Sequence, residues 1–334
     1  MQDVFLFRGR EIMKKLLVVL LSVLTVLALA GCSGGNGNGG NEDSTTIKIG
    51  VVQLVQHAAL DAATQGFVDV VSKEFPDADI NIQNAAGDSA TCSTIAQGFV
   101  NDGVDLIMAN ATPALQAAVS ATGDIPILGT SVTEYGVALG IDNFNGTVGA
   151  NVSGTSDLAP LDQQAQMILD ILPDVKTVGI IFCSNEANSK YQVEVVSKYL
   201  EGKGIKVIAA SFTDSNDIAL VTEDLCAQID ALYIPTDNQA ASCAETIANV
   251  VLDKKMPVFA GEEGICKLCG VATLTINYYD LGAETGKMAV KILKNEAKIE
   301  EMAIQYFPNP VKKYNAEVCE LLGITVPDDF VKCE

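Results

Sequence analysis

The chain contains no tryptophan and one histidine, His57, in 334 residues. With a single imidazole, no convincing nucleophile–base pair can be drawn. No G-x-G-x-x-G follows the first apolar run, and no GxxxxGK[ST] loop occurs, so the nucleotide-cradling motifs are missing. Basic side chains are scarce, 21 Lys and Arg against 42 Asp and Glu, giving a net charge of -21. Phosphate contacts need clustered Lys and Arg, which excludes nucleic acid as a partner. The surplus acid instead keeps a soluble surface from associating. Carboxylates alone are too common to indicate a hydrolase. No catalytic set, metal site or cofactor is expected, and the chain reads as a non-enzyme.

What is present begins with a leader. "MKKLLVVLLSVLTVLALAGC" places Lys14 and Lys15 ahead of an apolar run from Leu16 to Ala30, the layout of a signal peptide. Its end, Leu29 to Cys32, resembles the lipobox of bacterial lipoproteins, which implies cleavage before Cys32 and a diacylglycerol on its sulfur. The run also approaches the lower length of a membrane span, so a plain transmembrane anchor is the other reading. Residues 1–31 are assigned to the signal peptide with an upstream extension. Residues 32–45 are assigned to the lipidated cysteine and a Gly/Asn-rich tether, flexible by composition. The lipid anchor places the body outside the cytoplasm, against the cell membrane.

Beyond Cys32, eight cysteines remain: Cys92, Cys183, Cys226, Cys243, Cys266, Cys269, Cys319 and Cys333. "CKLC", Cys266 to Cys269, has redox or zinc half-site spacing, but no second CxxC accompanies it. A redox protein built on that pair is one reading; a local disulfide or free thiols is the other.

From Thr46 the chain alternates short apolar runs with helical periodicity. The pattern restarts near "TVGIIF", and "VDLIMANATPAL" at Val104 matches "IDALYIPTDNQA" at Ile229, with Asp second in both. Wholly apolar strands indicate parallel sheets buried on both faces. The fold class is α/β, with two doubly wound parallel-sheet lobes. The helix after "YIPTDNQ" is expected to run through "AASCAETIANVVLDKK". The C-terminal pieces are too few for a third core and are expected to complete the two lobes.

Ligands in such sheets bind beyond the carboxyl ends of the strands. Those ends are polar in both halves. Thr112 and Pro113 read as N-cap and first helical residue, offering free N–H groups to an anion such as a carboxylate. Asp237 and Asn238 stand at the matching place in the other half, where Asp237 is expected to pair with an ammonium. Each of these residues is equally readable as a helix cap alone.

The segments "HAALDAATQGF", "VDLIMANATPALQAA", "GTSDLAPL", "NEANSKYQ", "YIPTDNQAAS", "VFAGEEG" and "INYYDLGAETGKMA" resemble the substrate-binding lipoproteins of ABC importers with the type I periplasmic-binding-protein fold. Within that family they look like the tryptophan and aromatic amino acid binders. The resemblance implies a three-strand hinge near Thr155–Pro160, Thr275–Tyr279 and Pro308–Lys312. It places 46–155 plus 278–307 in the N-terminal lobe and 156–277 plus 308–334 in the C-terminal lobe. It implies a ligand held by Gln53, His57, Thr112, Thr130, Ser131, Ser156 and Asp157 from one side. Asn185, Asn188, Ser189, Asp237, Asn238 and Glu263 close from the other. It further implies an amino acid ligand, large and apolar or aromatic, with Tyr135, Phe144 and Tyr278 placed to help. The partner is a membrane ABC permease. A ligand-binding subunit feeding a sensor fits the same residues.

Overall fold

The computed structural model describes residues 46–307 and 309–333. The leader, the lipobox with Cys32 and the tether lie outside the described residues. Among those described, no helix is long and apolar enough to cross a membrane.

The first sheet contains β1 (Lys48–Gln53), β2 (Asp79–Asn84), β3 (Leu106–Asn110), β4 (Ile127–Val132), β5 (Val152–Ser156) and β11 (Gln305–Tyr306). All its pairs are parallel, in the order β11-β5-β4-β3-β1-β2. The second contains β6 (Thr177–Cys183), β7 (Lys206–Phe212), β8 (Ala231–Ile234), β9 (Val258–Ala260), β10 (Ala272–Thr275), β12 (Val311–Tyr314) and β13 (Val331–Lys332). Its order is β13-β12-β10-β9-β8-β6-β7. It is parallel except where β12 runs antiparallel to β10. Strands β3, β4, β8 and β10 are buried along their whole length, which explains their unbroken apolar or small-residue character. The edge strands β2 and β7 expose part of their residues, and their sequences carry polar positions accordingly.

The two lobes repeat one plan, and the repeated aspartate has a repeated task. Asp105, just before β3, accepts the backbone N–H of Lys48 at the start of β1. Asp230, just before β8, accepts those of Lys176 and Thr177 at the start of β6. In each lobe one carboxylate ties off the first N–H of the neighbouring strand, a group the ladder would otherwise leave unpaired.

The chain passes between the sheets after β5, returns after β10, and leaves again between β11 and β12. On its return it forms α11 (Tyr278–Leu293), which packs on α1 (Ala58–Glu74). This helix pair is unusually close. A Cβ built on Gly282 would lie 1.8 Å from the carbonyl oxygen of Ala63, and one on Gly66 would lie 2.1 Å from that of Tyr279. Only glycine permits this approach.

One expected element is divided. The helix read through "AASCAETIANVVLDKK" is two helices, α8 (Asn238–Ser242) and α9 (Ala244–Asp253), broken at Cys243. The N–H groups of Asn238 and Gln239 are taken by the Glu186 carboxylate, and that of Ala240 by Asp237. The first turn is therefore fixed by buried acids, while α9 lays an apolar face on its sheet. The tail completes the lobes as expected, although β11 is only two residues long.

Candidate functional site

In each sheet the strand order reverses at one place, between β1 and β3 and between β6 and β8. Doubly wound sheets bind ligands outside the strand ends at such points. Here both ends open on one narrow cavity. Its first-lobe wall is His57, Leu60, Ser131 and Asp157, and its second-lobe wall includes Asn188, Asp237, Asn238 and Glu262, with Tyr278 at the crossover. The enclosed space among them is small, about 10 Å³.

Local backbone features aim these side chains. Ser131 sits where β4 shifts register against β5, at a φ of 53°, a conformation unusual for a non-glycine residue. Such outliers cluster at ligand sites. Asp157 follows the end of β5, and its Oδ2 accepts the Tyr278 hydroxyl at 2.9 Å. Asn188 stands in the first turn of α6 (Ala187–Gly202). Its amide nitrogen donates to Glu186, Ser189 and the Thr236 carbonyl, which fixes the amide orientation. Its Oδ1 therefore faces away from those partners.

Three buried atoms on this cavity's residues have no hydrogen-bond partner among the described residues: Ser131 Oγ, Asp157 Oδ1 and Asn188 Oδ1. Buried polar atoms are nearly always paired, so these three are the acceptors that a polar solute entering the cavity would meet.

Asp237, by contrast, is occupied. Its Oδ1 accepts the N–H of Ala240 at 2.8 Å and its Oδ2 that of Cys183 at 2.6 Å. Ser189 is fully buried. Glu186 is buried below and acts as a scaffold, orienting Asn188 and Asn238 through their side-chain amides.

Several sequence-assigned residues lie away from the cavity lining. Gln53 donates to the Val55 carbonyl and to Asp61 and accepts from Thr64, so it secures the start of α1. The Thr130 hydroxyl meets that of Thr155 at 3.2 Å, and Thr155 meets Thr285 at 2.8 Å, tying β4, β5 and α11 together. Ser156 donates to the Thr133 carbonyl. The helix expected to be capped by Thr112 is α3 (Thr112–Ala121), but its cap is Ala111, at a φ of 94°. Thr112 is already helical, and its buried hydroxyl lacks a partner among the described residues. Pro113 and Asn185 line a larger polar chamber shared with Glu186 and Gln239.

Glu263 pairs with Lys313 at 2.7 Å and with Lys267 at 3.7 Å, and lines a separate pocket near Tyr279. It is the neighbouring Glu262 that reaches the inter-lobe cavity while capping α10 (Glu263–Cys269). Of the three aromatics expected nearby, only Tyr278 lines the cavity. Tyr135 is buried in the first-lobe core with its hydroxyl on the Thr155 carbonyl, and Phe144 packs on the same core. The residues missed are Glu186, Glu262 and Thr236. Each lies just beyond a strand end, but nothing in the spacing separates Glu262 from Glu263.

Burial pushes four acids at and beneath the cavity towards their neutral forms. Asp157, Asp237 and Glu262 rise above the ordinary carboxylate range, and Glu186 rises to about 8, helped by the Asp237 charge. His57 is pushed down to about 4 by burial, against its bond to Asn238 and the charge of Asp61. Its Nε2 lies 3.4 Å from Asn238 Oδ1, bridging the lobes. A second bridge runs from Gln239 Nε2 to the Gly87 carbonyl at 2.9 Å.

The His57 shift has a definite sign. The unfolded chain binds the proton more readily between about pH 6.5 and about 4, so stability is full above 6.5 and falls as the pH drops through that window. Allowing for the ring's partial exposure, the loss is about 2 kcal/mol. Thermal melts of wild type and His57→Gln across this range should diverge, with the variant showing the flatter profile. Parallel profiles would refute the assignment.

A family profile described as "ABC transporter substrate binding protein" matches residues 48–333. The tyrosine-binding protein of Clostridioides difficile is 36% identical over 253 residues, 75% of this chain and 73% of that protein. A Streptococcus pneumonia structure in complex with L-Trp aligns with a TM-score of 0.81 at 33% identity, over 85% of this chain and 97% of the other. A ligand-free, open substrate binding protein with adhesive properties from Clostridium difficile aligns with a TM-score of 0.64 at 38% identity, over 86% and 100%.

Proposed function

Because this chain belongs to the ABC transporter substrate-binding proteins, a family of extracytoplasmic, non-enzymatic binding proteins, we propose that its inter-lobe cavity captures an α-amino acid with a large apolar or aromatic side chain and presents it to a membrane permease for import. One observation carries the reading. An ammonium group has three N–H donors, and the cavity residues hold three unsatisfied acceptors, Asp157 Oδ1, Asn188 Oδ1 and Ser131 Oγ. The counter-charge is then Asp157 rather than Asp237, whose oxygens already cap α8 and the end of β6. Tyr278 supplies the aromatic wall.

The lobes, 46–155 with 278–307 and 156–277 with 308–334, close on the solute as two bodies. The present arrangement is of the closed kind. This is supported by the two inter-lobe hydrogen bonds and by the better alignment with the L-Trp complex than with the more identical open structure. A thermal-shift screen against the common amino acids tests the proposal. A specific solute raises the melting temperature by mass action; a screen in which no amino acid does so sinks it.

The anchoring reading is carried by the leader and its Leu-Ala-Gly-Cys end. In this account Cys32 is lipidated and holds the protein at the outer membrane surface. Cys32→Ser should move it from the detergent phase to the aqueous phase on phase partitioning, and an unchanged partition would remove the lipid anchor.

A further inference from the structure

The CKLC pair is not the pair of thiols that the fold brings together. Cys266 and Cys269 both lie on α10, but the Cys269 sulfur is buried against the Ile265 carbonyl at 3.7 Å. Burial pushes its thiol up to about 12, away from reactivity. The sulfur facing Cys266 is that of Cys333, 67 positions along the chain and 3.7 Å away. Cys333 follows β13, the last strand, and its backbone N–H is held by the Tyr314 carbonyl, so it is set in place by the sheet. It is half-exposed, whereas Cys266 is fully buried.

We propose that Cys266 and Cys333 form a thiol–disulfide exchange site, closed to an internal disulfide by small-molecule disulfides outside the cytoplasm. Cys333 is the entry point because it alone of the two is reachable from solvent. Its thiol is also held below the ordinary range by the contact with Cys266; burial and the Glu263 charge oppose this, and the Lys313 and Lys267 charges favour it. The Cys333 thiolate attacks one sulfur of the small disulfide RS–SR, forms the Cys333–SR bond and expels RS⁻. Cys266 then loses its proton to that thiolate and attacks the Cys333 sulfur. The Cys266–Cys333 bond forms as the second RS⁻ leaves. Two protein thiols are oxidised, and one small disulfide is reduced to two thiols.

The sulfurs must approach by a further 1.6 Å or so to reach the roughly 2.05 Å of a disulfide, within the reach of a side-chain rotation. The bond would fasten β13, and through it β12, to α10. The residue capping α10 is Glu262, on the wall of the inter-lobe cavity. The redox state of this pair therefore sets how firmly the C-terminal strands support that wall.

The protein treated with oxidised glutathione and mapped by tryptic digestion without reduction tests this. Cleavage after Lys267 separates Cys266 from Cys269, so the linked partner is unambiguous. The expected product joins the peptide containing Cys266 to that containing Cys333, with two thiols lost per molecule. Its melting temperature should exceed that of the reduced protein by about 5 °C, the order expected for a loop of this length. Cys269→Ser should keep both changes, and Cys333→Ser should lose both. A Cys266–Cys269 link, or a Cys333 that remains fully alkylatable after oxidant, would overturn the proposal.

Discussion

Asp157→Asn is expected to weaken amino acid binding by about 100-fold, close to 3 kcal/mol, the usual cost of losing one member of a buried hydrogen-bonded charge pair. Asparagine keeps the size of aspartate and can still accept the Tyr278 hydroxyl, so the change isolates the charge. The ligand-free protein should respond in the opposite direction. Asp157 carries a buried carboxylate with one oxygen unsatisfied among the described residues, and burial already raises it above the carboxylate range. Neutralising it should leave the empty protein as stable as wild type or more so. Asp237→Asn provides the contrast. It removes a carboxylate that accepts the N–H groups of Ala240 and Cys183, so it should lower the melting temperature of the empty protein. Calorimetric titration and melting of both variants separate the roles. An Asp157→Asn protein that binds as tightly as wild type would return the counter-charge to Asp237.

Gly282→Val should destabilise the protein by about 3 kcal/mol or more, a fall of roughly 6–10 °C in melting temperature. The reason is the crossing of α1 and α11. A single Cβ at this position would lie 1.8 Å from the Ala63 carbonyl oxygen, and that oxygen is backbone, so only separation of the helices relieves the clash. The consequence reaches the site. Tyr278, the first residue of α11, donates to Asp157, and a shifted α11 would carry it away. Gly282→Ala should show a smaller loss in the same direction. A valine variant melting within a degree of wild type would mean that the two helices are not in contact in solution.

The lobes were legible because their central strands are buried on both faces and leave continuous apolar runs, and because Asp105 and Asp230 repeat one backbone contact. The helix α5 (Leu161–Ile171) was not read in advance, although Leu161, Gln164, Ala165 and Ile168 fall on one buried face. Its polar member disguised the stripe: Gln164 is buried to donate to the Leu274 carbonyl and accept from Tyr233. The break at Cys243 was hidden for a related reason, since it depends on Glu186, more than fifty residues away. In the site, strand-end position brought out Thr112, Asp237 and Asn238. It could not separate a carboxylate with a free oxygen from one already used as a cap. That distinction between Asp157 and Asp237 rests on hydrogen bonds to distant backbone, which no local pattern encodes. The same holds for Cys266, whose neighbour in space is set by the pairing of β12 with β13 rather than by CxxC spacing.

The most direct measurement is a calorimetric titration of the compact body, residues 46–334, with the amino acid that most raises its melting temperature and with the deaminated analogue of that amino acid. The two solutes differ only in the ammonium group. Saturable one-to-one binding of the amino acid, with the deaminated acid at least about 100-fold weaker, is the predicted result. Equal affinity for the two would contradict an inter-lobe cavity built around an ammonium ion.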